Sequence, residues 1–449
     1  MPGGRTIAIV GGGASGTLTA IGLLRTGGPE VRVVLIEVSG HPGYGVAYST
    51  PDERHLLNVR AGNMSGFPDQ PGDLLDWAAQ VGRPLDPADF LPRKEYALYL
   101  RDRLFAAADD RLETVAARVT DIEPADGGGY LLSTADGPTV FADAVVLAYG
   151  NQAPGVLRVD GQSLPDAPWH VTDPWRLGWI ETLPAGATVV LAGTGLTAID
   201  TAITVLERDP SFRVVMVSRH GVLPKVHSDE QPVGWVTAVP EGPLTAAQLR
   251  RLVCGQIEQA AAVGVNWRDV VDGLRAATPS IWSRLDDDEK RAFINLDSRD
   301  WEIRRHRMAP EIAARLASYR DSGRLVVAGD GIRALTNDGD FALVEAGGQV
   351  VTASAVVNCT GPQTDITASG DTLLAALTKR GLLAPDPLRL GVSCLPTGEV
   401  LGADGQVVTG FFTVGPPRKG VLYETTAIPE IRVQAAEVAR ALVGGVRQA

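Results

Sequence analysis

Gly11-Gly12-Gly13-Ala14-Ser15-Gly16 stands between the apolar run Ile7–Val10 and a helical pattern, and a second apolar run, Val31–Ile36, ends at Glu37. Strand, glycine turn, helix and strand in that order read as the opening of a doubly wound parallel sheet. Each position of the G-x-G-x-x-G spacing has a physical reason. Gly11 permits the tight turn, and Gly13 lets backbone amides approach a pyrophosphate. Ala14 and Ser15 open the helix whose positive end faces that anion, and Gly16 lets helix and strand pack closely. Glu37 is placed to accept ribose hydroxyls. A plain glycine turn is the alternative; the register of strand, helix and terminal acid favours a dinucleotide site.

The pattern starts again at Thr188–Asp200. Gly193-Thr194-Gly195-Leu196-Thr197-Ala198 follows the strand Val189–Ala192 in the G-x-G-x-x-A form, where alanine still permits close helix packing. The next strand, Arg213–Val217, ends in Ser218-Arg219-His220 instead of an acid. An acid would repel a ribose 2′-phosphate, whereas the Arg219 guanidinium pairs with one, aided by Ser218 and His220, so the expected cofactor is NADPH over NADH. A solvated basic strand end is the other reading. Two further apolar strands each run into a glycine, Val145–Gly150 and Val356–Gly361.

The chain, 449 residues with 45% hydrophobic and 21% charged residues, is long enough for two domains with sizeable cores. The expected fold is α/β: two Rossmann-like dinucleotide-binding domains, the second inserted into a discontinuous first. The first domain takes residues 1–183 and 363–449. The second takes 184–362, with a helical insertion at about 243–320 interrupted by Pro279 and Pro310. A formal charge of −12 without a long basic run argues against a nucleic-acid partner. No stretch offers a signal-peptide core or 18 uninterrupted apolar residues, so no membrane association and a cytoplasmic location are expected. Cys254, Cys359 and Cys394 share no metal or redox-dithiol spacing, and the histidines show no metal motif. Oligomeric state is not legible.

The four ordered motifs together resemble the two-dinucleotide-binding flavoproteins, in which the strands ending at Gly150 and Gly361 link an FAD and an NADP domain; Tyr149 departs from the usual threonine. The segments 55–60 (HLLNVR), 92–96 (PRKEY), 301–307 (WEIRRHR) and 420–430 (GVLYETTAIPE) are similar to the bacterial FAD/NAD(P)-binding protein family. One branch of that family resembles flavin-dependent N-oxygenases, including enzymes that oxidise the amine of aspartate. The run at 92–99 also resembles a segment of the ornithine and lysine N-hydroxylases. The Baeyer–Villiger fingerprint is absent around His170, where Leu164 and Asp166 occupy its Phe and Gly positions.

The resemblance places Asn58, Arg60 and Met64 beside the isoalloxazine, although Met64 can equally be core. It places Gly415 and the helix near Thr426 facing the flavin pyrimidine, where a helix N-terminus stabilises developing negative charge. The cluster Arg304-Arg305-His306-Arg307 has three readings: a solvated face, a cofactor-phosphate contact, or a carboxylate clamp in which Arg305 and Arg307 hold the substrate. The leading expectation is an NADPH-dependent flavin monooxygenase, using O2 through a C4a-(hydro)peroxyflavin to oxygenate a small nucleophilic substrate such as the amine of aspartate. An electron-transfer reductase and a nucleotide-binding regulator are the alternatives.

Overall fold

A computed structural model of the chain describes residues 4–230 and 232–444. Eleven strands make two larger sheets, β1 (Arg5–Val10), β2 (Val31–Ile36), β3 (Leu112–Val115), β4 (Ala144–Leu147), β5 (His170–Val171), β6 (Thr188–Ala192), β7 (Arg213–Val217), β8 (Leu325–Ala328), β9 (Ala355–Asn358), β10 (Glu399–Leu401) and β11 (Val407–Thr413). The first sheet runs β10-β11-β4-β1-β2-β3 and the second β5-β9-β6-β7-β8. Both contain the same parallel core. A late strand (β4 or β9) pairs with the strand before the glycine turn (β1 or β6), which pairs with the strand after the helix (β2 or β7). Ile7–Val10 and Val189–Ala192 are buried throughout, as central parallel strands covered on both faces require.

The two halves share a further element. Three short antiparallel strands precede each late strand, at 119–142 before β4 and at 332–353 before β9.

The helices that matter below are α1 (Ala14–Thr26), α2 (Arg93–Ala107) and α3 (Leu196–Arg208), then α4 (Ala246–Ala262), α5 (Trp267–Gly273), α6 (Thr278–Ser283), α7 (Asp287–Leu296), α8 (Ser298–Arg305) and α9 (Pro310–Asp321), and finally α10 (Ile428–Gly444). Helices α4 to α9 form the expected insertion. Pro279 and Pro310 mark breaks between its helices, standing in the first turns of α6 and α9, where the missing N–H is no loss. Thr245 and Gln248 cap α4 reciprocally.

One core joins α1, α2, β1, β2 and α10, so both ends of the chain share it. At the α1–α10 contact Gly22 faces Ala439, leaving room for two helix backbones to approach. A second core joins α3, α9, β6, β7 and β9. Among the described residues no helix is long and apolar enough to cross a membrane.

Candidate functional site

The first glycine turn is built for close approach. Gly11 has φ +102°, and a Cβ there would overlap the carbonyl of Ala148 at the end of β4. A Cβ on Gly16 would overlap the Gly11 carbonyl oxygen, so helix and turn touch through backbone alone. Gly43 N donates to the Gly12 carbonyl at 2.7 Å, and Gly45 lies against Gly13, so the 43–45 segment roofs the turn. Glu37 Oε2 accepts from Gly12 N at 2.7 Å, while Oε1 accepts from Ser39 N and Oγ at 3.1 Å, which fixes the carboxylate beside the turn. Helix α1 has neither a side-chain cap nor a first-turn acid, so its N-terminal amides are open to an anion. Gly415 (φ +86°) backs onto the buried Ser15, and Gly415 N donates to Gln434 on α10 at 2.9 Å. Thr426 is exposed two residues before α10, and Gly150 (φ +68°) faces open space.

The second turn repeats the crossover contact. Gly193 (φ +140°) abuts the Cys359 carbonyl at the end of β9. Gly195 and Gly361 have nothing within 4 Å of where a Cβ would stand. Leu196 opens α3, which also lacks a side-chain cap and a first-turn acid. Leu196 and Gly361 line a cleft of about 410 Å³ together with Asn151, Arg93 and Trp175, so the start of α3 and the residues that follow Gly150 border one space. Thr194 Oγ1 lies 2.9 Å from Ser218 Oγ, and Gly221 N donates to Ser218 Oγ at 3.0 Å. Arg219 and His220 are exposed at the strand end. These shapes fit two dinucleotides: a Cβ on Gly11 or Gly193 would overlap backbone, and neither helix carries a side-chain cap or an acid in its first turn.

The flavin-face candidates separate. Met64 is 2% exposed in the core beneath α2, where Tyr96 donates to its carbonyl at 2.8 Å, so packing accounts for it. The Asn58 carbonyl accepts from His227 Nε2 at 3.0 Å. Arg60 donates to the Ala88 carbonyl at 3.1 Å and to the Ser228 carbonyl, and it lines a cavity of about 40 Å³ with His227, Asn266, Arg268, Asp272 and Arg307. Burial, reinforced by Arg307 and Arg60, pushes the His227 imidazole down to about 4. It is therefore neutral near pH 7, and with Nε2–H spent on Asn58 its Nδ1 is an acceptor.

The 304–307 run is not one basic patch, and its arginines are not a solvated face. Arg305 and Arg307 are 4% and 3% exposed. Arg304 pairs with Asp300. Arg305 faces Glu424 at 3.5 Å and Glu430 at 3.8 Å in the segment leading into α10. Arg307 pairs with Asp272 at 2.6 Å, keeping Nε and Nη1 buried and without a hydrogen-bond partner. Arg307 thus meets Arg60, whereas Arg305 joins a separate ion network that ties the insertion to the C-terminal segment.

Sequence reasoning missed the latch between the halves. His55, 1% exposed, bonds Thr50 Oγ1 at 2.7 Å, the Asp200 carbonyl at 2.9 Å and Thr204 Oγ1 at 2.7 Å on α3. Arg93 bonds Asp200 at 3.2 Å. The segments HLLNVR and PRKEY were noticed through resemblance; their partner Asp200 on α3 lies 145 residues from His55 and 107 from Arg93 in sequence. A third cavity, about 120 Å³ and apolar, lies within the insertion against Tyr423, away from both glycine turns.

Residues 8–152 match the model of an FAD-NAD(P)-binding family, so the N-terminal part of the chain is an FAD/NAD(P)-binding domain. No curated protein matches the sequence. Among solved structures, the chain is similar to the ornithine N-hydroxylase of Kutzneria sp. 744 with reduced FAD, NADP+ and L-ornithine, at a TM-score of 0.65 and 15% identity over 100% of both chains. The L-lysine 6-monooxygenase of Pseudomonas syringae aligns at 0.61 and 17%, over 99% of this chain and 100% of that one. The bacillithiol disulfide reductase of Staphylococcus aureus aligns at 0.58 and 12%, over 99% of each. The fold is shared along the whole chain by oxygenating and disulfide-reducing enzymes alike.

Proposed function

We propose that the chain is an FAD- and NADPH-dependent monooxygenase of the N-oxygenase kind, acting on a small molecule that carries a nucleophilic amine and at least one carboxylate, with aspartate as the first compound to test. The observation that carries this reading is the meeting of Arg60, Arg268 and Arg307 around one small cavity that Glu230, Asp269 and Asp272 also line, and in which, among the described residues, Asp272 alone of these acids is ion-paired to one of the three. A carboxylate entering a partly dry pocket needs charge-assisted hydrogen bonds, and the unused Nε and Nη1 of Arg307 supply them. Arg305 does not line this cavity, so the clamp is assigned to Arg307 with Arg60.

Gly11, Gly13, Ala14, Ser15, Gly16, Glu37, Gly150 and the Gly415–Thr426 segment would hold FAD. Gly193–Leu196, Gly361 and Ser218–His220 would hold NADPH. Bound FAD supplies the redox chemistry, taking hydride from NADPH and activating O2. The chain's own residues orient the substrate. With the carboxylate on Arg60 and Arg307, the substrate ammonium can donate to His227 Nδ1, which fixes its direction next to the Asn58 segment. The disulfide-reductase reading finds no support in the thiols: all three cysteines are unpaired, and burial pushes Cys359 up to about 12 and Cys394 up to about 11.

The test is NADPH oxidation with and without O2, with peroxide measured and amino-acid and amine products screened for an added oxygen by mass spectrometry. Arg307→Ala should raise the substrate requirement at least tenfold and divert NADPH oxidation to peroxide. Rapid NADPH turnover with an artificial acceptor, and no oxygenated product across the panel, would establish an electron-transfer reductase instead.

A further inference from the structure

Arg299 stands on the insertion helix α8, far along the chain from either glycine turn, yet it reaches the second one. Its Nη2 lies 3.0 Å from Thr194 Oγ1, inside the G-x-G-x-x-A motif, and also donates to the Val222 carbonyl. Thr194 is in turn 2.9 Å from Ser218 Oγ. Gly221 (φ +60°) folds the chain back after Arg219-His220, with its amide on the same Ser218 oxygen. Arg299 therefore sits where the glycine turn and the strand-end loop meet, the edge that holds the adenosine ribose in a Rossmann unit.

Neither Arg299 nor Arg219 has a carboxylate within 4.0 Å among the described residues. Burial holds the Arg299 guanidinium below its ordinary range, and Arg219 pushes in the same direction against Glu302. Glu302 offsets the repulsion between the two guanidiniums without forming an ion pair with either, so both keep donors for a dianion at this edge. We infer that Arg299 is the second guanidinium of a ribose 2′-phosphate subsite, delivered by the helical insertion to complete what Arg219 begins. This rests on the NADPH reading above and makes cofactor choice a property of the insertion as well as of the strand end.

The competing role is mechanical: Arg299 braces the 194–222 contact and leaves the phosphate to Arg219. Two probes separate the roles: losing the brace weakens both probes alike, whereas losing the charge, as in Arg299→Gln with its shorter neutral side chain, weakens only the one that carries the 2′-phosphate. The probes are 2′,5′-ADP, which carries the 2′-phosphate, and 5′-AMP, which lacks it, titrated calorimetrically into the FAD-loaded enzyme. Arg299→Gln and Arg299→Ala should weaken 2′,5′-ADP about ten- to hundredfold and leave 5′-AMP within about twofold. Arg299→Lys should fall between. Equal weakening of both probes, or no change in their ratio, overturns the inference. A wild-type protein that does not distinguish the two probes would overturn the NADPH reading itself. A ratio collapsed by Arg219→Ala but untouched by Arg299→Gln would sink only the claim for Arg299.

Discussion

The two glycine turns share strand order, the crossover contact and an uncapped helix, but their glycines serve different ends. In the first, the third glycine is structural: Gly16 touches the Gly11 carbonyl, and the 43–45 segment covers the turn. In the second, Ala198 replaces it, fully buried and tolerated, while Gly195 faces open cleft. The strand ends diverge as well, Glu37 locked to the first turn and Arg219 free at the second. The covered turn with an acid suits a cofactor that stays; the open turn with a cation suits one that comes and goes.

The hardest test of that contrast exchanges the third positions. Gly16→Ala forces a methyl group into backbone and should cost roughly 3 kcal/mol, with loss of FAD from the purified protein. Ala198→Gly should cost only about 1 kcal/mol of helix stability and leave flavin content unchanged. Flavin-to-protein ratio and thermal denaturation read both. Equal damage from the two exchanges would erase the distinction.

Next in size is the strand end. Arg219→Ala should weaken NADPH binding about ten- to hundredfold while NADH changes less than about twofold, measured by flavin reduction at varied cofactor. Parallel loss for both cofactors would mean that the basic strand end is only a solvated surface.

Gly195→Ala sharpens the comparison from the other side. With φ −82° and empty space around the new methyl, stability should stay within about 0.5 kcal/mol of wild type. NADPH affinity should still fall severalfold, because the methyl stands where a pyrophosphate must approach. Unchanged affinity would place the phosphates elsewhere.

The remaining contrast appears only in acid and concerns the insertion side alone. Burial pushes His306 down to about 4, with Arg305 adding to it, and His227 is held equally low. Folded pKa values lie below the ordinary 6.5, so the unfolded chain binds more protons between the two. Stability from these rings is full above pH 6.5 and is lost as pH falls towards 4, by up to about 3 kcal/mol each. His306→Gln should flatten that part of the stability–pH curve; an unchanged slope would mean that His306 titrates normally.

The fold was readable because its signals are local. Continuous apolar runs, glycines at fixed spacing and the acid or arginine ending the next strand all sit within about 30 residues of one another. Pro279 and Pro310 were read as interruptions of the helical stretch, and they stand at breaks between its helices; sequence did not say that each opens the helix that follows. Arg304–Arg307 read as a patch because neighbours in sequence look like neighbours in space. On α8 and the turn after it, successive residues point to different partners: Asp300, the Glu424–Glu430 segment and Asp272.

Sequence alone determined that two strand–turn–helix units exist, that one ends in Glu37 and the other in Arg219, and that the chain carries no redox cysteine spacing. Tertiary structure alone decided which cations share a space. Arg60 meets Arg307, and Arg299 reaches Thr194, across separations of more than 100 residues. Backbone rules act over one turn of chain and leave a mark in the sequence there. A charged cavity is assembled from side chains whose only common property is where packing puts them, and no spacing records that.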